Sequence, residues 1–138
     1  MNYLLDTDIV VSFLRGKRKA GEMLDKLGDE SEISISIITY GELVYGANKA
    51  EDYETEMDKL EGLLQGARIG ITKMTEATML IYGRVRKQLE RKGQRVDDFD
   101  LLIGANAIEN ELFLVTDNEK HFARFPGLKV YGGDKVSA

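Results

Sequence analysis

Two aspartates interrupt an apolar run near the start of the chain. In YLLDTDIVVSFL, Tyr3-Leu4-Leu5 heads for a protein interior, meets Asp6 and Asp8, and turns apolar again at Ile9. A buried carboxylate is costly unless it is paired, hydrogen-bonded or bound to a metal. Further acids stand at comparable places. Glu42 follows the alternation EISISII by about one helical turn, Asp98 and Asp100 open a helical pattern, and Asp117 follows the apolar run LFLVT. Each has a structural reading of its own. Asp8 reads as a helix cap. Thr39-x-x-Glu42 reads as a capping box, with Glu42 reaching back to the Thr39 amide. Asp98 and Asp100 complement a helix N-terminus. Those readings leave the joint arrangement unexplained, because Asp6, Glu42, Asp100 and Asp117 each fall at an element end. Gathered on one rim, they repel one another and raise each other's pKa, and a divalent cation relieves that. Oxygen ligands without His or Cys suit Mg²⁺ or Mn²⁺. Such an ion keeps waters, engages phosphate oxygens and activates a water for in-line attack on phosphorus. The acids therefore point to metal-assisted cutting of phosphodiesters.

The elements that must position them follow from periodicity. Residues 3–5 read as a short buried strand, and 9–14 as the start of a helix capped by Thr7 or Asp8. Ala20, Met23, Leu24 and Leu27 have helical spacing. Ile33, Ile35 and Ile37 alternate with Ser34 and Ser36, a strand pattern, and 39–47 reads as helix. Tyr53, Met57, Leu60 and Leu64 mark an amphipathic helix over 51–65, followed by a short strand at 67–71. Thr75 with Thr78 opens a long helix that turns Ala77, Leu80, Ile81, Val85 and Leu89 inward and ends at Gly93. Asp97 or Asp98 caps a helix at 99–110, and strands follow at 112–116 and 128–132. The alternation predicts an α/β domain with a mainly parallel central sheet covered on both faces. Sites in such sheets form outside the carboxyl ends of the strands, near a switch in strand order. Asp6 and Asp117 are both expected on that rim.

Composition bounds the partners. At 138 residues and 43% hydrophobic, the chain suits one domain with a real core. There is no cysteine, hence no disulfide framework and no thiolate metal site. No apolar stretch is long enough for a membrane span, and no basic region precedes an apolar one at the N-terminus. A cytoplasmic protein without a membrane is the expectation. The net charge of −5, from 19 basic and 24 acidic residues, is not that of a bulk nucleic-acid binder. The bases cluster, however, at Arg15–Lys19 and at Arg84–Arg95. Lys17, Arg18, Arg86 and Arg91 are candidates to hold phosphates on either side of the acidic rim; the plain alternative is solvated helix faces.

YLLDTDIVVSFL, SIITYGELVYGA, DDFDLLIGANAI and LFLVTDNEKHF, in that order and spacing, resemble the PIN domain, and within it the VapC-type toxin ribonucleases. The resemblance runs over nearly the whole chain. It implies a single PIN domain over 1–138, a three-layer α/β/α sandwich, and an Mg²⁺-dependent ribonuclease site (Mn²⁺ as substitute). It also implies a small cognate antitoxin and a homodimer, for which the helix at 51–65 offers an apolar face. Carried over by motif, Asp6 matches the first metal-binding acid, Glu42 the second, and Asp100 the third and a principal ligand. The fourth position falls on Asp117 or Asn118, either of which can hold the site's water. Thr116 resembles the family's supporting hydroxyl, on the substrate side. Asp8 and Asp98 are expected to cap or support. His121, the only histidine, reads as a surface or helix-start residue, and Phe122 and Phe125 as core anchors. Three rival readings stand beside this one. Asp6-Thr7-Asp8-Ile9-Val10 also fits the nucleophile motif of haloacid-dehalogenase-like phosphatases. Receiver domains share the strand-end acids. A non-catalytic PIN-like module would bind RNA or a partner without cutting.

Overall fold

The computed structural model describes residues 1–133 and 135–137. In chain order the elements are β1 (Tyr3–Leu5), α1 (Thr7–Leu14), α2 (Arg18–Leu27), β2 (Ile33–Ser36), α3 (Ile37–Lys49), α4 (Tyr53–Gly66), β3 (Ile69–Thr72), α5 (Glu76–Arg91), α6 (Asp98–Glu109), β4 (Phe113–Val115), α7 (Glu119–Phe122) and β5 (Lys129–Tyr131). The five strands form one sheet in the order β3-β2-β1-β4-β5, every pairing parallel. The chain winds outward from β1 to β3 and then returns to β4 on the other side. The reversal falls between β1 and β4, where an open parallel sheet forms its binding crevice.

Alternation along β1 assigns the layers. Tyr3 and Leu5 point to one face and join Ile9, Val10, Met23, Leu43, Leu60 and Leu63 from α1–α4. Leu4 points to the other and joins Val85, Leu89, Leu101, Leu114, Phe122 and Phe125. A central strand buried on both faces has no polar side chain to spare, so the first acid can appear only where β1 ends.

Four expectations are corrected. Asp6, not Thr7 or Asp8, caps α1, its carboxylate accepting from the Thr7 amide. Helix α3 starts at Ile37, because Ser36 rather than Thr39 is its cap and accepts from the Thr39 amide. Ile37 is consequently 43% exposed instead of continuing the strand. Strand β3 starts only at Ile69, since Arg68 closes the preceding turn with a φ of 54°. In α5 the buried stripe is Thr78, Val85 and Leu89. Leu80, five residues before Val85, lies off that stripe and is 77% exposed, and Ala77 also faces out.

Candidate metal centre on the sheet rim

The register places Leu5 beside Val115, and the Asp6 amide donates to the Val115 carbonyl at 2.9 Å. The next residue of each strand therefore leaves the sheet beside the other. The Thr116 hydroxyl donates to Asp6 Oδ2 at 2.8 Å, and the Thr7 amide donates to Asp6 Oδ1 at 2.8 Å. Asp6 is only 7% exposed. Burial, then the Asp8 carboxylate, push its carboxyl up to about 7, with Asp100 adding to them; the bonds from Thr116 and Thr7 offset part of the rise.

Asp8 enters this cluster rather than serving as a cap. Its Oδ2 accepts from the Asp117 amide at 3.1 Å. The Thr116 hydroxyl lies 3.4 Å away but has one proton, which the closer Asp6 takes. Asp8 Oδ1 is fully buried and has no hydrogen-bond partner among the described residues. Burial raises the Asp8 pKa above the ordinary carboxylate value, and Asp117 contributes. Asp100, in the first turn of α6, faces the same rim. Burial raises its pKa also, against the effect of His121, whose Nε2 is 3.1 Å from Asp100 Oδ2.

Glu42 does not form the capping box expected of it. The Thr7 hydroxyl donates to Glu42 Oε1 at 2.7 Å and lies 3.0 Å from the Thr39 hydroxyl. Glu42 is thereby linked to the residue between Asp6 and Asp8. A cleft of about 500 Å³ opens beside it, lined by Thr7, Val11, Arg15, Glu42, Glu56 and Lys59 among others. Asp117 turns away: its carboxylate oxygens accept from the Val136 and Ser137 amides at 2.8 and 3.0 Å. Asn118 precedes α7, and its amide donates to the Thr116 hydroxyl at 3.0 Å. Thr116 thus holds Asp6, and the 117–118 backbone holds Asp8 and Thr116. Asp98 faces away from the cluster, to Arg86 and the Tyr82 hydroxyl.

Of the expected phosphate-binding bases, Lys17, Arg18 and Arg91 are exposed. Arg18 pairs with Glu22 at 3.4 Å, and Arg86 with Asp98 and Glu90 at 3.2 and 3.6 Å. The two residues least legible in the sequence are Thr7 and His121. Thr7 carried a signal in its place between two site acids; His121 carried only its position three residues past Asn118.

The donor set fits a hard cation. Asp6, Asp8 and Asp100 offer oxygen donors in a half-buried crevice, Asp8 and Asp100 disfavour the charge of Asp6, and Asp8 keeps a buried oxygen without a hydrogen-bond partner among the described residues. Among the described residues no three or more His, Cys, Asp or Glu side chains come close enough together to form a cage that could hold a metal ion. Mg²⁺ does not require one, since it is commonly held by one or two carboxylates with several waters.

Comparison with known proteins agrees with this architecture. The PIN domain family model matches residues 3–128. Ribonuclease VapC2 of Rickettsia felis is 35% identical over 136 residues, spanning 98% of this chain and 100% of the relative. The tRNA(fMet)-specific endonuclease VapC of Shigella flexneri is 30% identical over 129 residues, 94% of this chain and 96% of the relative. A crystal structure of VapBC2 from Rickettsia felis, bound to a DNA fragment from their promoter, superposes with a TM-score of 0.90 at 34% identity, covering 97% of this chain and 100% of that one. The chain belongs to the PIN-domain family, alongside the VapC ribonucleases.

Proposed function

We propose that this protein is a divalent-cation-dependent ribonuclease that acts as the toxin of a toxin–antitoxin pair. The observation that carries the reading is the Asp6–Asp8–Asp100 cluster at the β1–β4 switch, with each acid held by a dedicated donor. The full-length likeness to proteins named ribonucleases supplies the substrate class. Family membership decides against the dehalogenase-like and receiver readings. The likeness to proteins named ribonucleases, together with the presence of Asp6, Glu42 and Asp100, favours a nuclease over a module that only binds.

Asp6 and Asp100 are the residues that would hold Mg²⁺ or Mn²⁺, with Asp8 and Glu42 beside them. The ion, when bound, supplies a Lewis acid for phosphate oxygens and lowers the pKa of water. The protein's own contribution is placement. Thr116 and the Thr7 amide fix the two Asp6 oxygens, the Thr7 hydroxyl fixes Glu42, and the first turn of α6 presents Asp100. Glu42 lies within the cleft wall, where it can accept a proton from a reacting water. Of Asp117 and Asn118, Asn118 is the better candidate for the fourth position, since both Asp117 oxygens already accept from the C-terminal segment. Lys17, Arg91 and Arg15 have exposed side chains to offer phosphates; Arg86 is already paired.

The antitoxin follows from the likeness to VapBC complexes. The homodimer expected above would not use α4, whose Leu60 and Leu63 are buried in the core. Helix α5, with Met79 and Leu80 exposed, is the better candidate. No helix among the described residues is long and apolar enough to cross a membrane. The reading is tested by incubating the purified protein with a mixed RNA pool in Mn²⁺. Cleavage that stops with EDTA and in Asp6→Asn supports it; cleavage indifferent to either defeats it.

A further inference from the structure

His121, read from the sequence as a surface or helix-start residue, does stand in the short helix α7, and its side chain reaches Asp100. Its Nε2 is 3.1 Å from Asp100 Oδ2. On the other side of the ring, Arg124 Nη2 is 2.7 Å from Nδ1, and Arg124 Nε donates to the His121 carbonyl at 3.0 Å. Arginine can only donate. Nδ1 must therefore accept, and in the neutral ring the single proton sits on Nε2, directed at Asp100. The ring packs edge-on against Phe122 and Phe125, with centroids at 4.9 and 5.8 Å, and those two rings touch each other at 5.1 Å. Both phenylalanines are buried.

The seat for this packing lies on α6 itself. A Cβ on Gly104 would stand 2.7 Å from the Phe125 ring, so only glycine lets that ring lie against the helix. Gly104 is one turn beyond Asp100, on the same helix face. Phe125 on Gly104 and His121 on Asp100 are thus two rungs of one contact between α6 and the segment after β4.

We propose that His121, its tautomer fixed by Arg124, is the positioning residue of Asp100, tying down its Oδ2. This rests on the reading of Asp100 as a ligand of the cation. Partners of this kind orient a ligand and stabilise its charge, and their loss commonly costs 10–100-fold in metal affinity.

Two experiments test it. Calorimetric titration of Mn²⁺ compares wild type with His121→Phe, His121→Gln and Asp100→Asn. Phenylalanine keeps the aromatic packing and removes the donor, whereas the glutamine amide carries a donor to about the position of Nε2. The expected result is at least about a tenfold loss of affinity in His121→Phe, most of it recovered in His121→Gln, with unchanged melting temperatures. Wild-type affinity in His121→Phe, or equal loss in Phe and Gln, overturns the proposal. If Asp100→Asn itself binds like wild type, the metal reading fails and takes this role with it. If Asp100→Asn loses binding and His121→Phe does not, only the role of His121 fails. Nitrogen NMR needs no metal and no assignment, because the chain has one histidine. It should show the neutral ring protonated at Nε2, relaxing to a tautomer mixture in Arg124→Met. A ring protonated at Nδ1 in wild type refutes the relay.

Discussion

Asp6 and Asp98 both stand at the start of a helix, and both follow another element closely in space. Asp6 is 7% exposed, shares its crevice with Asp8 and Asp100, and is met by donors that are neutral. Asp98 lies beside a cleft of about 470 Å³ walled by mixed charges, including Arg86, Glu90, Arg95 and Asp97. There the side chains of Arg86 and Asp98 are 47% and 59% exposed. At the α5–α6 junction Glu90 and Asp98 both meet Arg86, so charge is partly balanced and solvent screens the rest. On the β1–β4 rim, acids meet acids and hydroxyls, so negative charge is concentrated and unbalanced. What separates a candidate centre from a solvated helix end is therefore not the residue type. It is burial combined with the absence of a nearby cation among the groups that hold it.

The sharpest way to break this comparison is to neutralise one acid from each region. Asp6→Asn should reduce RNA cleavage about a thousandfold, since loss of several kcal/mol of ion-assisted stabilisation is worth a factor of ten per 1.36 kcal/mol. Asp98→Asn should stay within about twofold of wild type, as expected for an exposed ion pair. Equal losses in a discontinuous cleavage assay would erase the distinction. Gly104→Ala should come next. The added methyl meets the Phe125 ring at 2.7 Å, and such overpacking costs about 1–3 kcal/mol, read as a lower denaturant midpoint. An unchanged midpoint would show that the segment after β4 can move off α6 freely.

Thr116→Val tests the neutral donors. It removes the hydroxyl that holds Asp6 Oδ2 while keeping the buried volume. A hydrogen bond to a charged group is worth about 1.5–3 kcal/mol, so cleavage should fall about tenfold or more with little loss of fold. A further test is the pH dependence of the metal-free protein. The Asp6 carboxyl is held up at about 7, and those of Asp8 and Asp100 are also raised, whereas unfolded carboxyls titrate near about 4. Between those values the folded state binds more protons than the unfolded state. The contribution is complete below about pH 4 and is lost as pH rises through about 7. The melting-temperature difference between wild type and Asp6→Asn should shift against wild type over that window, while Asp98→Asn tracks wild type throughout. A difference that moves in wild type's favour would contradict the site's electrostatics.

How much of this could be read from sequence depended on the distance over which each residue finds its partner. The buried strands at 3–5 and 113–115 and the helix cap at Asp97 are dictated by neighbours in the chain, and periodicity exposes them. The positions of Asp6 and Asp100 could be read because they end or begin such elements. Glu42 could be singled out from the sequence but not in its bonding: Thr39-x-x-Glu42 is a sound local capping pattern, and Ser36 competes for the same cap only because β2 ends one residue early. Its actual partner, Thr7, lies 35 residues away. His121 lies 21 residues from Asp100, and nothing local announces that a glycine on α6 will seat the Phe125 ring and bring them together. Leu80 misled for another reason, being an apolar residue off the buried stripe of its helix.

The proposed cation site is the β1–β4 rim rather than any other acidic region among the described residues. Crystals soaked in Mn²⁺ and measured at the manganese absorption edge test this directly. The account predicts an anomalous peak in contact with the Asp6 and Asp100 carboxylates, absent from Asp100→Asn crystals treated alike. A peak at the Arg86–Asp98 junction instead, or none on the rim at a concentration that supports RNA cleavage, would contradict it.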